Sequence, residues 1–242
     1  MKHNIKRIGA PSRRNGMHSF YTEEWQGDLA VMNKEDAHHA SRVLRIKTDE
    51  EIVIVSGGKR WLCSYRQDGL ATRIKELAST EPKVCITLYQ GIAKGDRMEQ
   101  AVQKCTEIGV QDFYPCLMER CVAQEAKGER WNRIAREAAK QSGRTVLPTV
   151  HEALSFKALC AKLKTHELAL VAWEEEKESS LPQIYRGEKD VAIVIGPEGG
   201  ITPQEVSALP AQRITLGPRI LRTETAGLVM AAGILFLSGD MA

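Results

Sequence analysis

The hydrophobic pattern changes its grammar once along the chain. From Met17 to about Ile74, short apolar runs alternate with turns: "HSFYTE", "GDLAVMN", "EEIVIVSGGKRWLCSYR" and "LATRIKEL". Such runs predict strands, and Gly57-Gly58 between "IVIVS" and "RWLCSYR" predicts a tight hairpin. Only "EDAHHASRVLRI", Glu35 to Ile46, carries a helical pattern. A small β-rich module is therefore expected over residues 17–77, with "ASTEPK", residues 78–83, as a linker.

Beyond the linker, strands alternate with amphipathic helices. "VCITLYQ" predicts a strand, and "GDRMEQAVQKCTEIG" a helix with Met98, Val102, Cys105 and Ile108 near one face, Gly109 ending it and an Asp96/Glu99 capping box opening it. "VQDFYPCL" predicts the next strand, and "GERWNRIAREAAKQSG" a helix that turns Trp131, Ile134, Ala135 and Ala138 inward and stops at Gly143. "HELALVA", "DVAIVI" and "QRITL" predict further strands, the middle ones apolar enough to lie in a parallel sheet covered on both faces. This alternation predicts an α/β domain over residues 84–242.

Composition narrows the classes without naming one. At 242 residues, 43% hydrophobic and 27% charged, the chain reads as an ordinary globule, not a disordered tract. The most apolar window, Ala226 to Leu237, is too short to span a bilayer and reads as a buried helix. The start lacks the apolar block of a secretory signal, which makes the cytoplasm the expected location, and no membrane partner is expected. The six cysteines form no C-x-x-C pair and the histidines no H-E-x-x-H, so no metal site is expected. Residues 1–16 carry five cations and no acid; without them the formal net charge of +3 becomes about −2. They read as a basic extension ahead of a start near Met17, able to touch phosphates or to remain an inert tail.

Candidate chemistry lies in two breaks. In "VAIVIGPEGGITPQE" a strand ends at Ile195, and Gly196, Gly199 and Gly200 then permit close approach of backbone to a ligand. Thr202 to Glu205 follows as a capping box with proline at the first helical position. A glycine-rich turn at the carboxyl end of a strand is where open α/β sheets place ligands. Neither G-x-x-x-x-G-K-[ST] nor G-x-G-x-x-G is present, which counts against a nucleoside triphosphate and a nicotinamide, and Glu198 suits a hydroxyl-bearing or cationic ligand better than a pyrophosphate. The second break, "RITLGPRILRTETAG", repeats the arrangement, with Thr223 as cap of an apolar helix whose Gly227 and Gly233 predict close packing. If the two strands are neighbours, both loops reach one bound molecule. A tight turn without a ligand is the bland alternative for each.

Together "IGPEGG" and "LGPRILRTETA" resemble the signature pair of the SPOUT-class RNA methyltransferases, within them the RsmE-type family that methylates N3 of one uridine in bacterial 16S ribosomal RNA. The resemblance runs from Met17 onward. "HHASRVLRI" is similar to the family's H-x-x-x-V-L-R element at His39, Val43, Leu44 and Arg45. "KGDRMEQAVQKCTEIGV", "PCLMERC" and "EAAKQSGRTVLP" match further family segments at Lys94, Glu99, Lys104, Glu107, Gly109, Glu119, Arg120, Glu137, Gln141 and Arg144. Cys121 and Ile108 depart from the pattern, standing where serine and leucine are common.

The resemblance implies a Rossmann-like parallel sheet tied in a deep trefoil knot, preceded by a PUA-like RNA-binding β-barrel, and a homodimer. It implies S-adenosylmethionine bound at Ile195, Gly196, Glu198, Gly199, Gly200, Leu216, Gly217, Ile220, Leu221 and Thr225, without a metal. Loss of the N3 proton calls for a basic or electrostatic helper, for which Arg120, Arg222, Glu224 and Glu198 are the candidates: Arg120 and Arg222 stay protonated and are expected to stabilise a uridine anion, and Glu224 orients an arginine, accepts the N3 proton or only caps its helix. Arg45, Lys94, Lys104 and Arg144 are the RNA-binding candidates, with solvated helix faces as the equal alternative because acids are interleaved among them. The rival from another class is a non-catalytic RNA-binding or ribosome-assembly factor that keeps the fold.

Overall fold

The computed structural model describes residues 17–122 and 126–241, so the basic extension expected at residues 1–16 lies outside the described residues. The chain divides into two units between Ala78 and Ser79.

The first unit is built on six strands: β1 (Ser19–Tyr21), β2 (Trp25–Gln26), β3 (Leu29–Val31), β4 (Glu51–Ser56), β5 (Lys59–Arg66) and β6 (Leu70–Leu77). They pair in the order β1-β4-β5-β6-β3-β2, with β1 parallel to β4 and every other pairing antiparallel. The expected hairpin joins β4 to β5 through Gly57 and Gly58, both at positive φ. Phe20, Ile52, Ile54, Cys63, Tyr65 and Ala71 fill the concave side.

The two ends of this sheet do not pair, so the barrel is closed by side chains. The Trp25 indole on β2 donates to Ser56 Oγ at the end of β4 (2.9 Å), and the Ser56 hydroxyl donates to Glu23 (3.1 Å). Arg73 lies between Trp25 and Trp61, its guanidinium carbon 4.2 and 4.3 Å from the two ring centroids. Each such contact contributes about 0.5–2 kcal/mol.

The helix expected over Glu35–Ile46 is a short α1 (Lys34–His38), capped by Asn33, that passes into a π-helical turn at His39–Val43. Ser41 Oγ donates to the carbonyls of Ala37 and His38 and competes with the regular ladder, and the Leu44 amide reaches back to His39 O. Arg45 then takes a positive φ of 54°.

The second unit contains β7 (Cys85–Gly91), α2 (Arg97–Ile108), β8 (Asp112–Leu117), α3 (Gly128–Ser142), β9 (Thr149–Val150), β10 (Leu154–Ser155), α4 (Phe156–Leu163), β11 (Leu168–Ala172), α5 (Leu181–Ile184), β12 (Asp190–Ile195), α6 (Pro203–Ala208), β13 (Gln212–Ile214) and α7 (Thr223–Leu237). Its sheet runs β10-β8-β7-β12-β11-β13, with β9 also on β8, and every pairing is parallel. Alternate residues of β12 show why the strand reads as a continuous apolar run. Val191, Ile193 and Ile195 join one core with α2, α3 and α7, while Ala192 and Val194 join a second core with α4 and α6. The close packing expected at Gly233 is against α5, where a Cβ would meet Leu181 Cδ2 at 2.8 Å.

Several local expectations are corrected. Asp96 has helical dihedrals and does not cap α2; it accepts from Gln100 Nε2 (2.8 Å), while Glu99 pairs with Arg130 (2.8 Å). Thr223 is the first residue of α7, not its cap. The second half of the expected linker is fixed into the second unit, because Glu81 accepts from Arg144 and from the amides of Thr145 and Val146. The strands carrying the two glycine breaks are not neighbours: β11 lies between β12 and β13.

Candidate active site

In a parallel sheet all carboxyl ends face the same way, so the loops after β11, β12 and β13 emerge side by side. They surround a cavity of about 640 Å³, with the start of α7 and Arg97 of α2 completing its wall. That size is ordinary for a small-molecule site. Of the positions expected to hold a ligand, Ile195, Gly196, Glu198, Gly199, Gly200, Leu216, Gly217, Ile220 and Leu221 line it, and Thr225 does not. The intervening strand contributes a third loop that the sequence pattern does not single out, with Trp173, Glu174 and Lys177 on the lining. Its only signal is the acidic stretch "WEEEKE" directly after an apolar strand.

Local chemistry fixes each loop. Thr202 and Glu205 form the expected capping box of α6, so the chain after Ile195 must turn within a few residues, and the Gly200 amide closes that turn on Pro197 O (2.9 Å). Glu198 Oε1 accepts from the Lys94 amide (2.7 Å) and from Arg97 Nη1 (2.9 Å), tying the turn to the segment that follows β7. Gln90 at the end of β7 is buried and donates to Thr223 Oγ1 (2.7 Å), and the Thr223 hydroxyl donates to Gly196 O. Three elements distant in sequence are thereby locked at one point.

The expected catalytic residues occupy different places. Glu224 stands on the wall with its side chain 13% exposed; Arg97 Nε lies 3.9 Å from its Oε2, and that oxygen has no hydrogen-bond partner. A buried carboxylate oxygen left without a donor costs of order 1–3 kcal/mol and calls for an explanation. The residue lines the cavity, while this oxygen is enclosed, with the Arg97 guanidinium as its nearest cation. Arg222 is exposed on the lining. Arg120 is not on the lining: it lies behind Gly199, donating to Gly199 O (3.0 Å). Cys121 is half-buried and accepts from the Met118 amide (3.4 Å) within its own turn; burial above all pushes its thiol pKa up. A polar atom is used there for a turn, which accounts for serine and cysteine both fitting.

The RNA-binding candidates divide. Lys94 and Arg45 are exposed, and exposed Lys104 pairs with Glu107 (2.9 Å). Arg144 does not reach solvent: its side chain is 3% exposed, it pairs with Glu81 (2.6 Å), and it donates to the carbonyls of Thr106 and Val110. Gly143, at φ 71°, turns the chain back beneath α2, so a basic residue at a helix end becomes an internal brace. Among the described residues no group of side chains has the makings of a metal site, and no helix is long and apolar enough to cross a membrane.

A parallel sheet covered on both faces, with a cavity over the carboxyl ends of three strands, defines an α/β protein with a small-molecule site. Residues 80–235 match the model of an RNA methyltransferase domain, and residues 32–67 that of an RNA methyltransferase PUA domain. Ribosomal RNA small subunit methyltransferase E of Bacillus subtilis is 34% identical over 85% of this chain and 91% of its own; that of Aquifex aeolicus is 32% identical over 87% and 95%. Among solved structures, the methyltransferase E of Neisseria gonorrhoeae bound to S-adenosylmethionine matches with a TM-score of 0.81 and 31% identity, covering 92% of this chain and 98% of that one. A Legionella pneumophila methyltransferase with the same molecule bound gives 0.79 and 28% over the same shares. The chain belongs to the ribosomal RNA small subunit methyltransferase E family.

Proposed function

We propose that the protein transfers a methyl group from S-adenosylmethionine to N3 of one uridine in 16S ribosomal RNA. The observation that carries this reading is the cavity over the three loops, with the Glu224 carboxylate and Arg222 on its lining. The residues present fit the cofactor. Gly196, Leu216, Gly217 and Leu221 offer backbone groups beside apolar side chains, and Glu174, Glu198 and Glu224 supply the negative charge that suits a sulfonium. Bound there, S-adenosylmethionine supplies an electrophilic methyl group on positively charged sulfur.

The chain's own residues must orient the base and deal with its proton. Uridine N3 holds a hydrogen, and the Glu224 carboxylate on the cavity wall accepts it; Arg97, 3.9 Å from its enclosed Oε2, positions that carboxylate. Arg222 at the rim meets the negative charge that forms on the base oxygens. Arg120 acts one layer back, holding the Gly199 carbonyl. The base must leave its stack to reach the cavity, which is easiest in a single-stranded or strained region. The deep trefoil knot, a homodimer and a cytoplasmic location belong to the same proposal.

The test is mass spectrometry of ribosomal RNA from cells lacking this gene. One 3-methyluridine is expected to disappear, to return with the wild-type gene, and to stay absent with Arg222→Ala. RNA that cross-links to the protein yet is never methylated would favour the non-catalytic binder. A second expectation concerns the cavity wall. Gly217 has φ +99°, and a Cβ there would point into open space, so Gly217→Val strains the turn and intrudes on the ligand's room. Calorimetry is expected to find no measurable cofactor binding; retained affinity would remove this loop from the site. Gly199→Val acts differently, since its Cβ would meet Arg120 Cβ at 2.9 Å and displace that side chain.

A further inference from the structure

A second cavity, of about 720 Å³, lies wholly within the first unit. On one side it is walled by α1 and the π-helical turn, on the other by the tight turn at Gln67–Gly69. Gly69 makes this approach possible: a Cβ there would lie 2.5 Å from Ala37 Cβ. The lining carries Lys34, His38, Arg42 and Lys47 against one carboxylate, Asp68. Among the described residues Lys34, Arg42 and Lys47 form no ion pair. Three permanent cations that leave their charge unmatched around a concave surface are a standing attraction for an anion.

The second observation concerns Tyr65. It is 2% exposed and lines the cavity, and its hydroxyl makes no hydrogen bond among the described residues. Burial and the neighbouring Asp68 push its pKa up, so the phenol keeps its proton and is a donor. The ring is buried but the hydroxyl oxygen opens onto the cavity, where it is free to donate to an acceptor held by the surrounding cations. Ser41 and Thr48 add hydroxyls, and the π-helical turn, a backbone form frequent at functional sites, sets the spacing of His38, Ser41 and Arg42.

We propose that this cavity captures a phosphodiester of the substrate RNA, with Arg42, Lys47 and Lys34 holding the phosphate and the Tyr65 hydroxyl donating to the same nucleotide. The proposal rests on the reading of the protein as an RNA methyltransferase and assigns the first unit a defined anchoring site. It also separates the RNA contact from the residues nearest it in the sequence motif, because Arg45 is not on the lining.

The experiment uses the full chain and small ribosomal subunits from cells lacking the gene, and compares wild type with Tyr65→Phe and with the double variant Arg42→Gln/Lys47→Gln. RNA affinity is read by fluorescence anisotropy on a 16S fragment, and methyl transfer is split into kcat and KM for RNA. The double variant is expected to raise Kd and KM for RNA about tenfold or more at physiological salt and to flatten the salt dependence by about 0.7 for each phosphate no longer neutralised. Tyr65→Phe is expected to weaken RNA binding about 2- to 10-fold, the range of one hydrogen bond. In both, cofactor affinity and kcat at saturating RNA stay within about twofold of wild type. Tyr65→Phe removes only an unpartnered oxygen, so its melting temperature holds and weaker binding cannot be charged to misfolding. Unchanged RNA affinity in folded variants would overturn the proposal. So would inorganic phosphate competing at the cavity while RNA affinity ignores both variants, which would mark a site for free phosphate. If wild type binds the fragment but never methylates it, the enzymatic reading fails, and the anisotropy series still decides the anchoring site.

Discussion

Glu224→Gln is expected to lower kcat by about 10²- to 10⁴-fold, the usual contribution of a positioned acid or base. The substitution keeps the shape of the side chain and its place 3.9 Å from Arg97, and it removes the capacity to take a proton from N3. Cofactor affinity measured by calorimetry should move little, because the change adds no bulk to the wall. Activity of the variant should climb with pH, as hydroxide takes over the deprotonation of the base. If kcat instead stayed at the wild-type level, Glu224 would be no more than a fixed charge at the start of α7, and the anion would have to form without a protein base.

The second large effect falls on stability, not on RNA. Replacing Arg144 by methionine leaves the Glu81 carboxylate buried without its cation, and breaking a buried pair from one side costs about 3–5 kcal/mol. Burial by itself pushes the Glu81 pKa up, but the hydrogen bond and charge of Arg144, with the amides of Val146 and Thr145, more than reverse it, and the net direction is down. A carboxylate depressed in the folded state stabilises above its unfolded value, roughly pH 4–5, and that contribution is lost as pH falls through the folded value. Wild type should therefore lose stability on acidification below that range. In Arg144→Met most of the loss should already be present at neutral pH, and the acid dependence should be shallower. Thermal melts at neutral pH and near pH 3.5 separate the two. Weakened RNA binding in a variant that melts normally would restore Arg144 to the RNA-facing set.

What the sequence determined by itself is what depends on near neighbours. Strand and helix follow from periodicity, so the change of grammar near residue 80 was legible, as were Gly109 and Gly143 as helix ends and the capping box at Thr202. The two glycine-proline breaks were legible as ligand loops because a strand that stops on glycine before a strong helix start leaves backbone exposed at the sheet's carboxyl edge, and both do line one cavity. Pairing at a distance was not legible. No local signal says that β11 inserts between β12 and β13 and brings a third loop to the cavity, since strand order is set by which apolar faces bury one another across the whole chain. Asp96 and Thr223 have the chemistry of caps, yet one meets Gln100 and the other is taken by Gln90 and Gly196, partners that only the fold supplies. Arg144 looked like a surface cation until the turn at Gly143 folded it onto Glu81. The basic cavity around Tyr65 was hidden for the same reason: its cations lie on one segment and its floor on another, and only the curl of the first sheet makes them neighbours.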